Sequence, residues 1–259
     1  MPPFSSVTVT LGSVLAGSAA RRFSTGHARV WGLVCVATMA ASPASSSAAL
    51  IACWNFNSLV AAPSTATTIA ASSGTGTIYA NGTEGSSSWV TATSGNEWTT
   101  FAGSTINALN ADAAGNALSP VNSTANGKSF TVAFGMAGLQ DLIVTFATRG
   151  TSTGFNSGLW SYSTDGSTFV SAGLASTAST STTFALATAD FSSIPQLDND
   201  GTVWIRYTLS GASASAGNNR IDNLQLNATP IAVPEPSAIL LLAAGCGAFV
   251  YLVRRPGHG

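Results

Sequence analysis

Ionisable side chains are what this chain has least of. Asp, Glu, Lys and Arg make up 7% of its 259 residues, against roughly 25% in an average soluble domain, so Ser, Thr, Asn and Gly have to supply the polar surface. Histidine is scarcer still. His27 and His258 are the only two, and each lies near a terminus, so segment 50–229 has no imidazole and Ser-His-Asp, Cys-His and His-zinc chemistry are excluded from it. Cys35 and Cys246 fall in apolar terminal runs, which leaves Cys53 alone in the middle and rules out an internal disulfide there. Cations are few as well. Between residues 50 and 229 the chain has only Lys128, Arg149, Arg206 and Arg220 against nine acids, a net charge of −5 that repels phosphate backbones and argues against nucleic acid as a partner. Neither an internal repeat nor a long amphipathic helix is present.

What the chain does have, at both ends, is greasy sequence. Residues 1 to 29 hold three arginines and no acid, and Val30 to Ala41 form an apolar run too short to span a bilayer. Small residues then lead to Ala48 and Ala49. This order of basic, apolar and small-residue segments reads as a secretory signal peptide over 1–49, cut by signal peptidase after Ala48 or Ala49. Arg21-Arg22-Phe23 is an incomplete twin-arginine pattern. At the other end Ser237 to Val253 carries no charge, and at helical rise it covers roughly 25 Å, the short limit for a membrane-spanning helix. Pro234 and Pro236 force extended backbone before it and leave Glu235 accessible. Arg254 and Arg255 fix the far end on the cytoplasmic side.

The tail 230–259, with Pro234-Glu235-Pro236, the run 237–253 and the basic end 254–255 in that order, resembles the PEP-CTERM sorting signal of Gram-negative bacteria that make exopolysaccharide. The resemblance implies recognition and processing of the tail by an exosortase-type membrane enzyme. It also implies anchoring in the inner membrane before processing, and then a place at the cell surface or outside it, near exopolysaccharide. A membrane-anchored precursor of an exported domain is the expectation.

Between the two ends the pattern is that of strands. Ala52, Trp54 and Phe56 share one phase of an alternation, so Leu50 to Asn57 reads as a first strand. The same stretch, Leu50-Ile51-Ala52-Cys53, also fits a lipobox with Cys53 as the lipid-bearing residue, although polar residues 42–47 separate it from the apolar run. Weak strand signals follow at Thr77 to Asn81 and Ser87 to Thr93. Phe130, Val132 and Phe134 alternate, as do Leu142, Val144 and Phe146, and the two runs read as neighbours in one sheet. Asp165-Gly166 suggests a two-residue hairpin pairing Tyr162 with Phe169. Further strands are expected at Thr182 to Thr188 and, after the turn Asp198 to Gly201, at Thr202 to Leu209. In Asn219 to Asn227 the apolar phase slips between Ile221 and Leu224, so a β-bulge is predicted at Asp222-Asn223. Short strands with Gly-rich turns predict a mainly β fold, a two-sheet antiparallel sandwich of jelly-roll type over 50–229. The Trp-Asn-Phe-Asn strand, the Tyr162 to Gly166 hairpin and Arg220-Ile221-Asp222-Asn223 together are similar in outline to the sandwich ectodomains of PEP-CTERM proteins and to carbohydrate-binding modules.

Three functions fit such a domain. The first is a non-enzymatic envelope or matrix protein. A carbohydrate-binding module is the alternative, with Trp204 stacking on a sugar ring and Arg206 bonding its hydroxyls from the face opposite the core. Third, a glycoside hydrolase needs only two carboxylates, for which Glu84 and Glu97 are the sole glutamates between residues 50 and 229. Glu84, Trp89, Glu97, Trp98 and Asp112 either line a site, or the tryptophans fill core while the acids are solvated. No cofactor is expected. A structural calcium ion near Asp222 and Asn223, with first-strand carbonyls, fits their hard oxygen atoms.

Overall fold

The computed structural model describes residues 47–59, 68–79, 97–176 and 181–232. Two antiparallel sheets face each other, and the first strand found is the one expected: β1 (Ala49–Trp54) places Ala52 and Trp54 in the core, with Phe56 just beyond. Cys53 lies inside this strand, paired with Gln225 and Ser73 and buried, which is the strand reading of the segment. The short strands β2 (Thr68–Ala70), β3 (Ser73–Gly74) and β4 (Gly76–Tyr79) come next, then β5 (Trp98–Ala102) and β6 (Asn116–Pro120). The remaining strands are β7 (Ser129–Phe134), β8 (Leu139–Gly150), β9 (Ser157–Ser163), β10 (Val170–Ser176), β11 (Ala185–Asp190), β12 (Val203–Ser210) and β13 (Asn219–Pro230).

Sheet A runs in the order β11-β8-β13-β1-β3, with β6 joined to β13 at Ile221 and β5 joined to β6. Sheet B runs β10-β9-β12-β7-β4-β2. The runs Phe130–Phe134 and Leu142–Phe146 are therefore not neighbours. Gly135 to Gly138 carries the chain across the sandwich, and β7 and β8 bury their apolar phases against each other from opposite layers. Alternation fixes which face of a strand is buried and says nothing of which strand lies beside it.

The core between the layers is aromatic at one end. Trp160 stacks on Tyr207 with centroids 4.5 Å apart, and Phe130, Phe146 and Phe191 meet this pair edge to face. Strand β12 shows the period-two pattern without a fault: Val203, Ile205, Tyr207 and Leu209 are buried, and Trp204, Arg206, Thr208 and Ser210 point outward. In β13 the register shifts between Asp222 and Gln225, where the phase slip located it. Asn223 takes a positive φ of 48° at the shift, a conformation that Asn tolerates better than most residues.

The hairpin after β9 is longer than two residues. Asp165 Oδ1 accepts from the amides of Ser167 and Thr168, and Ser163 Oγ accepts from those of Asp165 and Gly166. These side-chain bonds replace a tight turn, so Tyr162 pairs with Val170 rather than with Phe169. The signal peptide up to residue 46, the Ser87 to Thr93 strand, Glu84, Trp89, Pro234, Glu235, Pro236, the span 237–253, Arg254 and Arg255 all lie outside the described residues. Among the described residues no helix is long and apolar enough to cross a membrane.

Candidate functional site

The outward face of sheet B is built from three adjacent strands, β7, β12 and β9. Across it Trp204 has Ala133 on one side and Ser163 on the other, and Arg206 has Thr131 and Ser161. These flanking side chains are too short to cover an indole, so half-buried Trp204 keeps a flat apolar surface beside solvent. Arg206 is two residues along the same strand and therefore on the same face, roughly 7 Å away. The displaced hairpin gives Arg206 a lid: Phe169, off register, lies over the guanidinium with its centroid 3.4 Å from Cζ. Arg206 Nε also donates to Thr131 Oγ1 at 3.4 Å. Partial burial lowers the pKa of Arg206 from its ordinary value, yet a guanidinium remains charged at any physiological pH. A stacked, half-fixed guanidinium loses less side-chain freedom when it meets a ligand. The two residues singled out for sugar binding thus lie on one face of one strand, with a third partner, Phe169, that the expected two-residue turn had assigned to Tyr162.

The opposite outer face, on sheet A, carries a polar clamp. Asp222 is 1% exposed, and its Oδ2 accepts from the Ser104 amide while Oδ1 accepts from the Asn223 amide at 2.8 Å. Asn223 Nδ2 donates to the carbonyls of Ser104 and Ile106, at 2.8 and 2.9 Å. Asn107 Nδ2 donates to Asn223 O and to Thr145 Oγ1, and Gln225 Nε2 donates to Asn107 O. Further along, Asn55 Nδ2 donates to Asp112 Oδ2 and Asn57 Nδ2 to Ala113 O. Together they bind the loop from Gly103 to Gly115 down onto β13 and β1. Gly103 has to be glycine, because a Cβ there would collide with the Asp222 carboxylate.

This chemistry does not suit calcium. Two loop carbonyls converge on the Asn223 amide nitrogen, where a cation would otherwise draw oxygen atoms together, and both oxygens of the lone carboxylate already accept N–H groups. Among the described residues no three His, Cys, Asp or Glu side chains gather in one place. Burial pushes the Asp222 carboxyl up to about 6 even though its two amide donors pull the other way. The same enclosure, with the charges of Asp112 and Asp222, pushes the Cys53 thiol up to about 11, which keeps it protonated and poorly nucleophilic.

Of the acids of the weakly patterned region, the two described ones, Glu97 and Asp112, are each held by a partner and not gathered into one site. Glu97 is 3% exposed and paired with Lys128, while Trp98 and Trp54 are core residues, the Trp54 indole N–H donating to Ile69 O at 3.0 Å. Asp112 accepts from Asn55.

No protein-family model matches the chain, and no curated protein matches it. Among solved structures it is similar to the CBM22-1 xylan-binding domain of Xyn10C from Paenibacillus barcinonensis, with 8% identity, a TM-score of 0.42, and 73% of this chain and 100% of that one covered. It is also similar to the K3 cleaved adhesin domain of Lys-gingipain from Porphyromonas gingivalis, at 17% identity and a TM-score of 0.34, covering 70% and 99%. TmCBM61 in complex with β-1,4-galactotriose gives 14% identity and a TM-score of 0.30, covering 43% and 69%. These superpositions are too loose to transfer a site.

Proposed function

We propose that the chain is an exported, non-enzymatic β-sandwich protein that binds a neutral polysaccharide on the outer face of sheet B. In this reading the frame is a jelly roll. β1, β13, β8 and β11 form one layer, β7, β12, β9 and β10 the other, and β2 to β6 are an elaboration between the first two frame strands. The termini are addresses: a signal peptide over 1–49 and a PEP-CTERM-like tail, Pro234 to Arg255, handled by signal peptidase and an exosortase-type enzyme, which would deliver the domain to the cell surface beside exopolysaccharide.

The observation that carries the binding part is the setting of Trp204, an indole between Ala133 and Ser163 with the Phe169-capped Arg206 next to it. A sugar ring offers C–H groups to the indole and hydroxyl oxygens to the guanidinium, and neither contact needs a charged ligand. Of the two glutamates weighed for hydrolysis, Glu97 is paired with Lys128 in the buried part of the fold, away from this face. Affinity electrophoresis of the full chain through gels containing a panel of neutral polysaccharides tests this. At least one should retard it, and Trp204→Ala should weaken that binding roughly tenfold, as loss of an aromatic stacking contact does. Equal migration of wild type and variant in every gel would refute the site. The address is tested separately by Pro234→Ala/Glu235→Ala, for which unchanged processing and location would refute sorting through the tail.

A further inference from the structure

Half of the cations between residues 50 and 229 sit next to each other on the outer face of sheet A. Arg149 of β8 and Arg220 of β13 are direct cross-strand partners, a position where like charges repel. Each guanidinium lies over a phenyl ring instead of a carboxylate: Arg149 Cζ is 5.7 Å from the Phe184 centroid, and Arg220 Cζ is 4.8 Å from that of Phe101. Arg220 Nη1 donates to Ala102 O, but the Nε atoms of both arginines are buried without a hydrogen-bond partner. Asp222, two residues from Arg220 on the same strand, has both its oxygens turned to the amides of Ser104 and Asn223. Beyond Phe101 the surface falls into a cleft of about 440 Å³ lined by Thr99, Phe101, Asn122 and Asn218. In a domain of net charge −5, two arginines paired with each other and with no acid partner among the described residues are an arrangement that folding alone disfavours.

We propose that Arg149 and Arg220 form a binding site for the acidic group of an anionic polysaccharide, a carboxylate or a sulfate ester. The two guanidiniums take its oxygens in a forked, charge-assisted contact, Phe101 and Phe184 flank the sugar rings on either side, and the chain continues into the cleft beside Asn218. This site is on the sheet opposite Trp204 and takes a ligand of different charge, so it stands or falls independently of the neutral-glycan reading.

The test uses the full chain with polygalacturonate, dextran sulfate and uncharged dextran as probes, at low and at physiological salt. Retardation by polygalacturonate, by dextran sulfate or by both is expected, with affinity falling as salt rises and with any retardation by dextran unaffected by Arg149→Gln. The preferred polyanion distinguishes carboxylate from sulfate. Arg149→Gln should weaken polyanion binding about tenfold or more, and Arg149→Lys should restore only part of it, because the fork is lost while the charge is kept. Trp204→Ala should leave it unchanged. Relief of the repulsion with Arg220 should leave the Arg149→Gln melting temperature equal to or above that of wild type, so lost binding is separable from misfolding. Equal polyanion affinity of wild type and Arg149→Gln overturns the proposal, as does any dextran binding that Arg149→Gln weakens as much as it weakens polyanion binding.

Discussion

On sheet B the outward Trp204 and Arg206 of β12 stay half-buried, with Phe169 over Arg206, whereas on sheet A the lower half of the outward surface lies under the Gly103–Gly115 loop. Trp204 is flanked across the sheet by Ala133 and Ser163. Cys53, Asp222 and Asn223, outward by the same alternation, are at most 2% exposed because the loop has been stapled over them. Outward phase in a strand therefore marks a ligand surface only where no loop returns to cover it. The difference also separates the effects of substitution: on the clamped face they should appear in stability, and on the open face in binding.

The strongest break in that comparison is Asn223→Ala. It removes the donors to the Ser104 and Ile106 carbonyls and puts alanine at φ 48°. Orphaned part-buried carbonyls and a left-handed backbone at a non-Asn residue together cost about 3 kcal/mol. Chemical denaturation should show this as a lowered midpoint with little change in slope, and glycan binding of the protein that remains folded should be intact. A midpoint equal to that of wild type would mean that the loop is held by something other than this residue.

Asp222 gives the clamp a pH dependence of known sign. Its folded-state pKa, about 6, lies above its ordinary 3.8, so the folded protein holds the proton more tightly than the unfolded chain. The stability this contributes is fully present below pH about 4, declines as pH rises to about 6, and is absent above that. Two pKa units correspond to about 3 kcal/mol at most. Asp222→Asn should flatten that stretch of the stability profile, and a profile of unchanged slope between pH 4 and 6 would show that Asp222 is not the group responsible.

How much of this was legible beforehand differs between the same two faces. The Thr202–Leu209 alternation predicted the buried stripe and the outward Trp204 and Arg206, and the phase slip in β13 located the bulge, because both are properties of a single strand. The clamp was not legible. Its partners are 116 to 119 residues apart, as in Asn107 with Asn223 and Ser104 with Asn223, and nothing local in the Ser, Thr and Ala-rich stretch reveals where its loop lands. The Arg149–Arg220 pair was hidden for the same reason, since strand pairing is a matter of register between distant segments. Phe169 was misplaced by treating Asp165-Gly166 as a two-residue turn, when the Asp165 carboxylate instead organises a longer loop.

Cys53 provides a chemical reading of the closed face. With its thiol pushed up to about 11 from 9.0, the reactive thiolate is roughly 100-fold rarer at pH 8 than for an ordinary cysteine, before burial slows access further. Alkylation followed by mass spectrometry of the Cys53 peptide should therefore be slow in the native protein and accelerate in Asn223→Ala at denaturant concentrations well below global unfolding. Equal rates in the two proteins would mean that the loop does not open as a local unit.

The smallest effect is the one that gives the open face its meaning. Trp204→Ala removes a large side chain, yet its neighbours across the sheet are Ala133 and Ser163, and the core stripe of Val203, Ile205, Tyr207 and Leu209 is on the other side of the strand. The burial lost is that of a half-covered indole and the structure left behind has no enclosed cavity, so the stability cost should stay near 1 kcal/mol, well below the 3–5 kcal/mol typical of a core tryptophan. Trp160→Ala, in the aromatic cluster, is the control that should reach that range. If Trp204→Ala proved as costly as Trp160→Ala, the indole would be part of the packing and not a surface held ready for a sugar.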